Sequence, residues 1–497
     1  MRRALLTIVL VGFAFSPSLA IAQPPETVHV NVNGPTTPFP HFWEKMFGSG
    51  RAVLSLRDDY RRDLDWVRSV TEFQYVRFHG VFDDEMGVYD EDAQGNPVYN
   101  FSYVDQVYDG LLQHGIKPFV EISFMPKKLA ALPVVHPFWY HPSPSPPKSY
   151  EKWDALITAF AQHLIERYGI DDVSRWYFEV WNEPNIDFWA GDPKQATYFE
   201  LYDHTARALK AVNPRLRVGG PATAQAAWAP AFIQHVAQAN VPADFFSTHV
   251  YANDRPQDVF HNDVPIDRAH MVCRAVKMVH DQIKASARPN LPLIWSEYNA
   301  SYKNEPDITD AVFMAPWLAD TIRQCDGLTE MMSYWTFSDV FEEQGIVKTP
   351  FYGGFGLVAE EGLPKPSFNA FKILHFLGDR RLKIDSDSTL ATLKGKELVL
   401  AAWNLVLPGE TGSAKTMTFD LSGWRGGHTA QVYRVDANHG SLLNAYKTMG
   451  SPRYPTQSQI EQLRKAAQLG VPEKGTVKGA QLKIELPAQS LAVIEVR

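Results

Sequence analysis

The sequence predicts an α/β protein: a (β/α)8 TIM barrel followed by an accessory C-terminal β-sandwich. Three observations carry this expectation. Between about residues 43 and 378, apolar runs rich in β-branched and aromatic residues alternate with helix-like runs. Strict alternation implies a parallel sheet, and eight such units fit a closed barrel. Beyond about residue 380, short strand-like runs separated by turns replace the alternation, the texture of a sandwich. Finally, chemically capable side chains collect at the C-terminal ends of the strand candidates, where barrel enzymes place their sites.

The elements follow in order. Met1-Arg2-Arg3, the apolar run Ala4 to Phe15 and the small residues up to Ala22 read as a signal peptide over 1–22. The run is too short for a bilayer, which needs about 20 apolar residues. The expected destination is therefore the periplasm or the extracellular space, with no membrane insertion. Residues 23–40 carry an alternating strand, Val28–Val32, that is expected to join the sandwich. The barrel is expected over 41–379. Its strands are read at Trp43–Gly48, Gln74–His79, Lys117–Phe124, Trp176–Glu183, Arg217–Pro221, Asp244–Tyr251, Leu291–Asn299 and Met331–Ser338. Helical patterns lie between them at Tyr60–Val70, Tyr103–His114, Tyr150–Tyr168, Gln195–Val212, Arg268–Ala285 and Ile308–Gln324. The proline-rich stretch Pro126–Pro147 follows the third strand. Its stiffness suits a shaped wall over the site more than a mobile lid. The sandwich is expected over 380–497, with strands at Leu382–Ile384, Thr389–Lys394, Glu397–Leu405, Thr416–Asp420, Thr429–Val435 and Leu482–Val496.

Composition narrows the function classes. The net charge is −8, from 48 Lys and Arg against 56 Asp and Glu, and no basic patch stands out. That argues against nucleic acid as a partner. The two cysteines, Cys273 and Cys325, sit in helix-like stretches; an exported chain could pair them, but two buried thiols are the favoured reading, and neither zinc spacing nor a disulfide framework is present. Gly354-Phe355-Gly356-Leu357-Val358-Ala359 matches G-x-G-x-x-A, but Pro364 and Pro366 follow and no helix opens there, so no dinucleotide site is expected. No cofactor and no metal are called for. The oligomeric state is not legible.

Two glutamates stand out. Glu183 lies in Phe178-Glu179-Val180-Trp181-Asn182-Glu183-Pro184-Asn185 at the end of the fourth strand, and Pro184 is expected to hold it in extended backbone. Glu297 ends the apolar run Leu293-Ile294-Trp295-Ser296-Glu297 on the seventh. Neighbours along one strand point to opposite faces. Carboxyls on two different strands are better placed to meet across a barrel mouth. Such a pair is the minimum equipment for retaining glycoside hydrolysis, in which one carboxyl protonates the leaving oxygen and the other attacks the anomeric carbon.

Those motifs, with Arg77-Phe78-His79-Gly80, Thr248-His249-Val250-Tyr251 and Tyr334-Trp335-Thr336-Phe337-Ser338-Asp339-Val340-Phe341-Glu342-Glu343, resemble glycoside hydrolase family 39, the β-xylosidase and α-L-iduronidase family. The resemblance covers about residues 40 to 380. The family often shows Thr-Glu-Phe-Asn-Thr-Ser at the nucleophile, where this chain has Ser296-Glu297-Tyr298-Asn299-Ala300-Ser301. It implies Glu183 as acid/base and Glu297 as nucleophile. His79, Asn182, His249, Tyr251, Trp335 and Glu342 match positions that line the first sugar pocket, with Glu343 the rival of Glu342. His and Asn would bond hydroxyls, Tyr251 would orient Glu297 and Trp335 would floor the ring. The expected function is an exo-acting β-xylosidase on small xylo-oligosaccharides. The alternatives are another glycosidase of the same fold (β-glucosidase, arabinosidase or α-L-iduronidase) and a non-catalytic sugar-binding barrel.

Overall fold

The computed structural model describes residues 24–497; the stretch read as a signal peptide lies outside the described residues. Eight strands form a closed parallel barrel: Met46–Gly48, Tyr75–Phe78, Lys117–Ile122, Tyr177–Val180, Arg217–Thr223, Phe245–Tyr251, Leu293–Asn299 and Met331–Tyr334. They pair in sequence order, and the eighth closes on the first through Ser333↔Met46 and Tyr334↔Phe47. The helical patterns appear as Asp58–Arg68, Ser102–Gln113, Tyr150–Tyr168, Lys194–Val212, Met271–Lys284 and Met314–Cys325. Their apolar stripes pack on the barrel exterior, with Trp153, Phe160 and Leu164 of Tyr150–Tyr168 fully buried. Two further helices, Ala229–Gln238 and Pro366–Leu374, were not read from the sequence. Both are short, and each carries proline in its first turn, a position helices favour; the second begins at Pro366, where no helix was expected to open.

The accessory unit is two packed sheets. One orders Thr36–Pro38, Arg380–Leu382, Thr389–Lys394, Glu397–Asn404, Ser490–Val496, Thr429–Val435 and Glu473–Thr476; the other orders Glu26–His29, Lys415–Asp420 and Gln481–Leu486. Val28, Met417, Leu400 and Ile494 share the core between them. The expected single strand Leu482–Val496 is two strands, split at Pro487-Ala488-Gln489, where Gln489 has φ +57°. The region is not all β either. Helices Leu443–Thr448 and Gln457–Ala466 fill the excursion after Val435, the second under a Thr456/Gln459 capping box.

The glycine motif has a packing role. A Cβ at Gly354 or Gly356 would stand 2.4 Å from Asp339 atoms, and Gly356 N–H donates to Asp339 Oδ1 at 2.6 Å. Asp339 in turn pairs with the fully buried Lys365 at 2.6 Å, whose ammonium also meets Asp310 at 2.7 Å. The glycines therefore let two backbone segments close around a buried ion cluster.

The cysteines overturn the free-thiol expectation. Cys273 and Cys325 form a disulfide, with Cα atoms 5.2 Å apart, that joins the helices following barrel strands six and seven. Helical periodicity gave their burial; it did not reveal that the two buried faces meet. The link closes a loop of 52 residues in the unfolded chain, a constraint worth about 2–4 kcal/mol. The double variant Cys273→Ala/Cys325→Ala is expected to unfold at lower urea than the parent, measured by tryptophan fluorescence. Coincident transitions would show that the link adds nothing.

Candidate active site

At the C-terminal mouth of the barrel lies a cavity of about 370 Å³. Its centre is built around Arg77, on the second strand, which is wholly inaccessible to solvent. A buried guanidinium requires partners on every side. Here Nε bonds Glu179 at 2.5 Å, Nη1 bonds Glu297 at 2.6 Å, and Nη2 meets Asn182 Oδ1 at 2.9 Å and Glu121 at 2.8 Å. Glu121 and Glu179 are register partners on strands three and four. His79, two residues beyond Arg77 and on the same face, donates Nδ1–H to Glu121 at 2.7 Å. Burial alone would discharge this imidazole; the charges of Glu121 and Glu297 outweigh it and raise its proton affinity.

Glu297 is gripped from both sides. Arg77 holds Oε1, and the Tyr251 hydroxyl donates to Oε2 at 2.6 Å. Glu183 sits opposite. Its Oε1 is joined to His249 Nδ1 at 3.0 Å, and His249 Nε2 to Ser296 Oγ at 3.0 Å. Carboxylate oxygens of Glu183 and Glu297 and a ring nitrogen of His249 lie within 4.8 Å of one another. A β-bulge between Thr248 and His249, relative to strand seven, sets that register. Burial drives the Glu183 carboxyl well above its usual range, and the Glu297 charge adds to the rise. Burial also raises Glu297, but Arg77, His79 and the Tyr251 hydroxyl pull it back. The geometry therefore places the pair's proton on Glu183. His249, buried beside Arg77 and His79, is driven well below its ordinary value and stays neutral.

The floor is Trp335, which packs against His79 at 5.0 Å between ring centroids. It rests on Gly48, where an added Cβ would fall 2.0 Å from the indole. The proline-rich segment forms one wall through His136 and Phe138, with His136 stacked on Phe188 at 4.1 Å.

The structure brings Glu183, Glu297, His79, Asn182, Tyr251 and Trp335 to this cavity. Three expectations change. His249 is not in the lining but behind it, supporting Glu183. The fourth strand stops at Val180, and Glu183 is not extended: its φ is +44°, with its N–H donating to Ala222 O at 2.8 Å. Proline biases the residue before it toward extended backbone, and here the hydrogen bond to the strand-five backbone accompanies a conformation that departs from that bias. Glu342, expected to meet sugar, is instead bound by Arg51 at 3.1 Å and Arg57 at 2.8 Å. Its neighbour Glu343 lines the cavity, with Oε1 3.6 Å from His79 Nε2. Burial pushes the Glu343 carboxyl up to about 8; His79 opposes the rise and Glu297 adds to it, so near neutral pH it holds a proton.

Sequence reading did not name Glu121, Glu179, Asp254, Gln225, His136 or Phe138 as site residues. Glu121 and Glu179 carried a usable signal, since a charge inside an otherwise apolar strand must find a buried partner. A larger concavity of about 1060 Å³ lies where helices Met271–Lys284 and Met314–Cys325 meet the sandwich. It contains none of this chemistry.

The comparisons with known proteins agree with the geometry. Two curated β-xylosidases are similar along most of the chain. That of Geobacillus stearothermophilus is 36% identical over 483 residues, covering 95% of each chain. That of Caldicellulosiruptor saccharolyticus is 38% identical over 439 residues, covering 86% of this chain and 88% of its own. The crystal structure of a monomeric β-xylosidase from Caulobacter crescentus CB15 superposes with a TM-score of 0.86 at 34% identity, over 95% of this chain and 99% of that one. The family model described as "Glycosyl hydrolases family 39" matches residues 26–479, and the chain belongs to that family of glycoside hydrolases.

Proposed function

We propose that the protein is a retaining exo-β-xylosidase in which Glu297 is the nucleophile and Glu183 the acid/base. The observation that carries this reading is the pair of facing carboxyls whose oxygens approach within 4.8 Å. That approach suits the separation of about 5–5.5 Å between carboxyl groups needed for direct attack, and not the 6.5–9.5 Å that admits an intervening water. The uneven proton affinities assign the roles. Glu297, whose proton affinity Arg77 and Tyr251 pull below that of Glu183, attacks the anomeric carbon as the carboxylate. Glu183, kept protonated by burial and by Glu297, gives its proton to the leaving oxygen. Once Glu297 is esterified its charge is gone, and the proton affinity of Glu183 falls. It then serves as the base that activates water, and breakdown of the glycosyl-enzyme restores both groups. Asn182 accepts from Arg77 through its carbonyl, which leaves its NH2 to donate to a sugar hydroxyl. Protonated Glu343 can donate to one hydroxyl and accept from another. The β-xylosidase relatives support xylose as the first sugar.

We also propose export to the periplasm or beyond. The N-terminal pattern Met1 to Ala22 supports it, as does the disulfide, which is rare in reducing compartments. N-terminal sequencing of protein recovered from the periplasm or medium should begin at or near Gln23; an intact Met1 on that protein would refute cleavage.

The catalytic assignment is tested with nitrophenyl glycosides. The β-xyloside should outpace the β-glucoside by about 10–200-fold, the range one extra group in a tight pocket produces. Proton NMR should show β-xylose as the first product. Glu297→Ala should lose nearly all turnover on every substrate. Glu183→Ala should fail on xylobiose, accumulate glycosyl-enzyme from an activated aryl xyloside, and respond to azide by yielding β-xylosyl azide. Rescue of Glu297→Ala as the α-azide, with Glu183→Ala unresponsive, would reverse the roles.

The pH profile of kcat/KM should be a bell, with Glu297 on the acid limb and Glu183 on the alkaline limb. Tyr251→Phe removes a donor that lowers the proton affinity of Glu297. Its affinity must then rise, so the acid limb should move to higher pH. Peak kcat/KM should fall roughly 10–100-fold, the scale of one hydrogen bond to a charged group. An unmoved acid limb would separate Tyr251 from the nucleophile.

A further inference from the structure

The half of the cavity next to Glu183 is built differently from the half next to Glu297. It is lined by Ile186, Ala224, Gln225 and Asp254, from the segments that follow strands four, five and six. An acid that protonates a leaving oxygen must have the leaving group beside it, so this half receives whatever departs.

Three observations mark it as a constructed site. First, residues 222–228 contain four non-glycine residues in the left-handed region: Ala222 (φ +52°), Gln225 (+59°), Ala226 (+55°) and Trp228 (+66°). Such backbone costs on the order of 1–3 kcal/mol per residue and persists where surroundings impose it, commonly at ligand clamps. Secondly, the segment is pinned. Asn185, two residues after Glu183, exchanges two hydrogen bonds with the Ala224 backbone, at 2.9 and 3.0 Å. Thirdly, Asp254 is a largely desolvated carboxyl that no salt bridge reaches among the described residues. Its Oδ2 accepts Tyr251 N–H at 2.8 Å, and the Gln225 side chain bonds it as well. Burial pushes Asp254 up to about 7, so near neutrality it can both donate and accept. A half-buried carboxyl without a cationic partner among the described residues, facing a cavity, keeps acceptor capacity that a polar ligand can use.

We propose that Asp254 and Gln225 form the leaving-group subsite of this enzyme and hydrogen-bond the hydroxyls of a departing sugar, which makes an oligosaccharide, rather than a simple alkyl or aryl glycoside, the substrate the cavity is shaped for. This rests on the reading of Glu183 as the acid. The chemical class recognised is a vicinal diol on a pyranose ring. Gln225 offers both a donor and an acceptor, and Asp254 switches between them. Ile186 supplies an apolar face.

The rival role for Asp254 is indirect. Its charge raises the proton affinity of Glu183, so its loss could weaken proton donation without any contact to sugar. Xylobiose and methyl β-xyloside separate the two. Both leaving groups are poor and need the acid equally, but only xylobiose presents leaving-side hydroxyls. Asp254→Ala and Gln225→Ala should each cut kcat/KM on xylobiose at least tenfold and leave methyl β-xyloside within about threefold, at a pH below the alkaline limb. Equal losses on both substrates would make Asp254 a positioning group acting through Glu183 and overturn the subsite. No loss on either would overturn it as well. Failure of the glycosidase reading would look different, as a wild-type enzyme inert toward both sugars.

Discussion

The site depends on one buried cation. Arg77 sits inside the barrel with no solvent contact, touching Glu121, Glu179, Glu297 and Asn182. Placing three carboxylates within reach of one another in a low-dielectric interior would draw protons onto them or push the strands apart. One guanidinium with a rigid fork of donors neutralises part of that charge and fixes each oxygen in direction. His79, whose proton affinity burial lowers but the Glu121 and Glu297 charges raise on balance, bonds Glu121 at the rim of the cluster. The arrangement is a poor source of net stability, since desolvating so many charges costs about what their attraction returns. What it supplies is geometry: four barrel strands cannot shift relative to each other without breaking a charged contact.

From that constraint the proton's place follows. Arg77 and Tyr251 reach Glu297, while among the described residues the Glu183 carboxyl has His249 alone as a hydrogen-bond partner. Two carboxyls so close cannot both be charged. The cation's position therefore decides which one is the nucleophile and which one the acid. His249 takes part without facing the cavity, by linking Glu183 to Ser296 beside Glu297. The two reacting groups are thus coupled through the wall as well as across the opening.

The barrel was legible because strand composition and helix periodicity are local properties. All eight strand candidates contain the observed strands in whole or large part; Arg217–Pro221 alone stopped short, at a proline the strand tolerates. The facing glutamates were legible because an apolar strand ending in a carboxylate is costly unless the carboxylate is used. What was not legible depends on which surfaces meet. Cys273 and Cys325 are 52 positions apart, and nothing local says that their helices present them to one another. Glu342 and Glu343 are adjacent, so motif position cannot choose between them; the choice is made by Arg51 and Arg57, which capture one and leave the other to the cavity. The backbone at Glu183 was not legible because Pro184 sets only a local bias toward extended backbone, and the contact with Ala222 is a tertiary one. Asp254 and Gln225 sit in loops whose course is set by tertiary packing.

The two strands at the start of the described chain bind late partners. Glu26 lies beside Met417, and Thr36 beside Leu382. The sandwich is therefore discontinuous in sequence, its first strands divided from the rest by the whole barrel. During synthesis these strands emerge first and wait while the ribosome makes everything between, roughly 20–80 s at ordinary elongation rates. Until then their backbone edges are unpaired. The accessory sheets tie these early strands to Lys415–Asp420 and Arg380–Leu382, so removing either one would leave its later partner with an unpaired edge. The barrel can be assembled in order of translation, but the finished molecule exists only after the last strand is delivered.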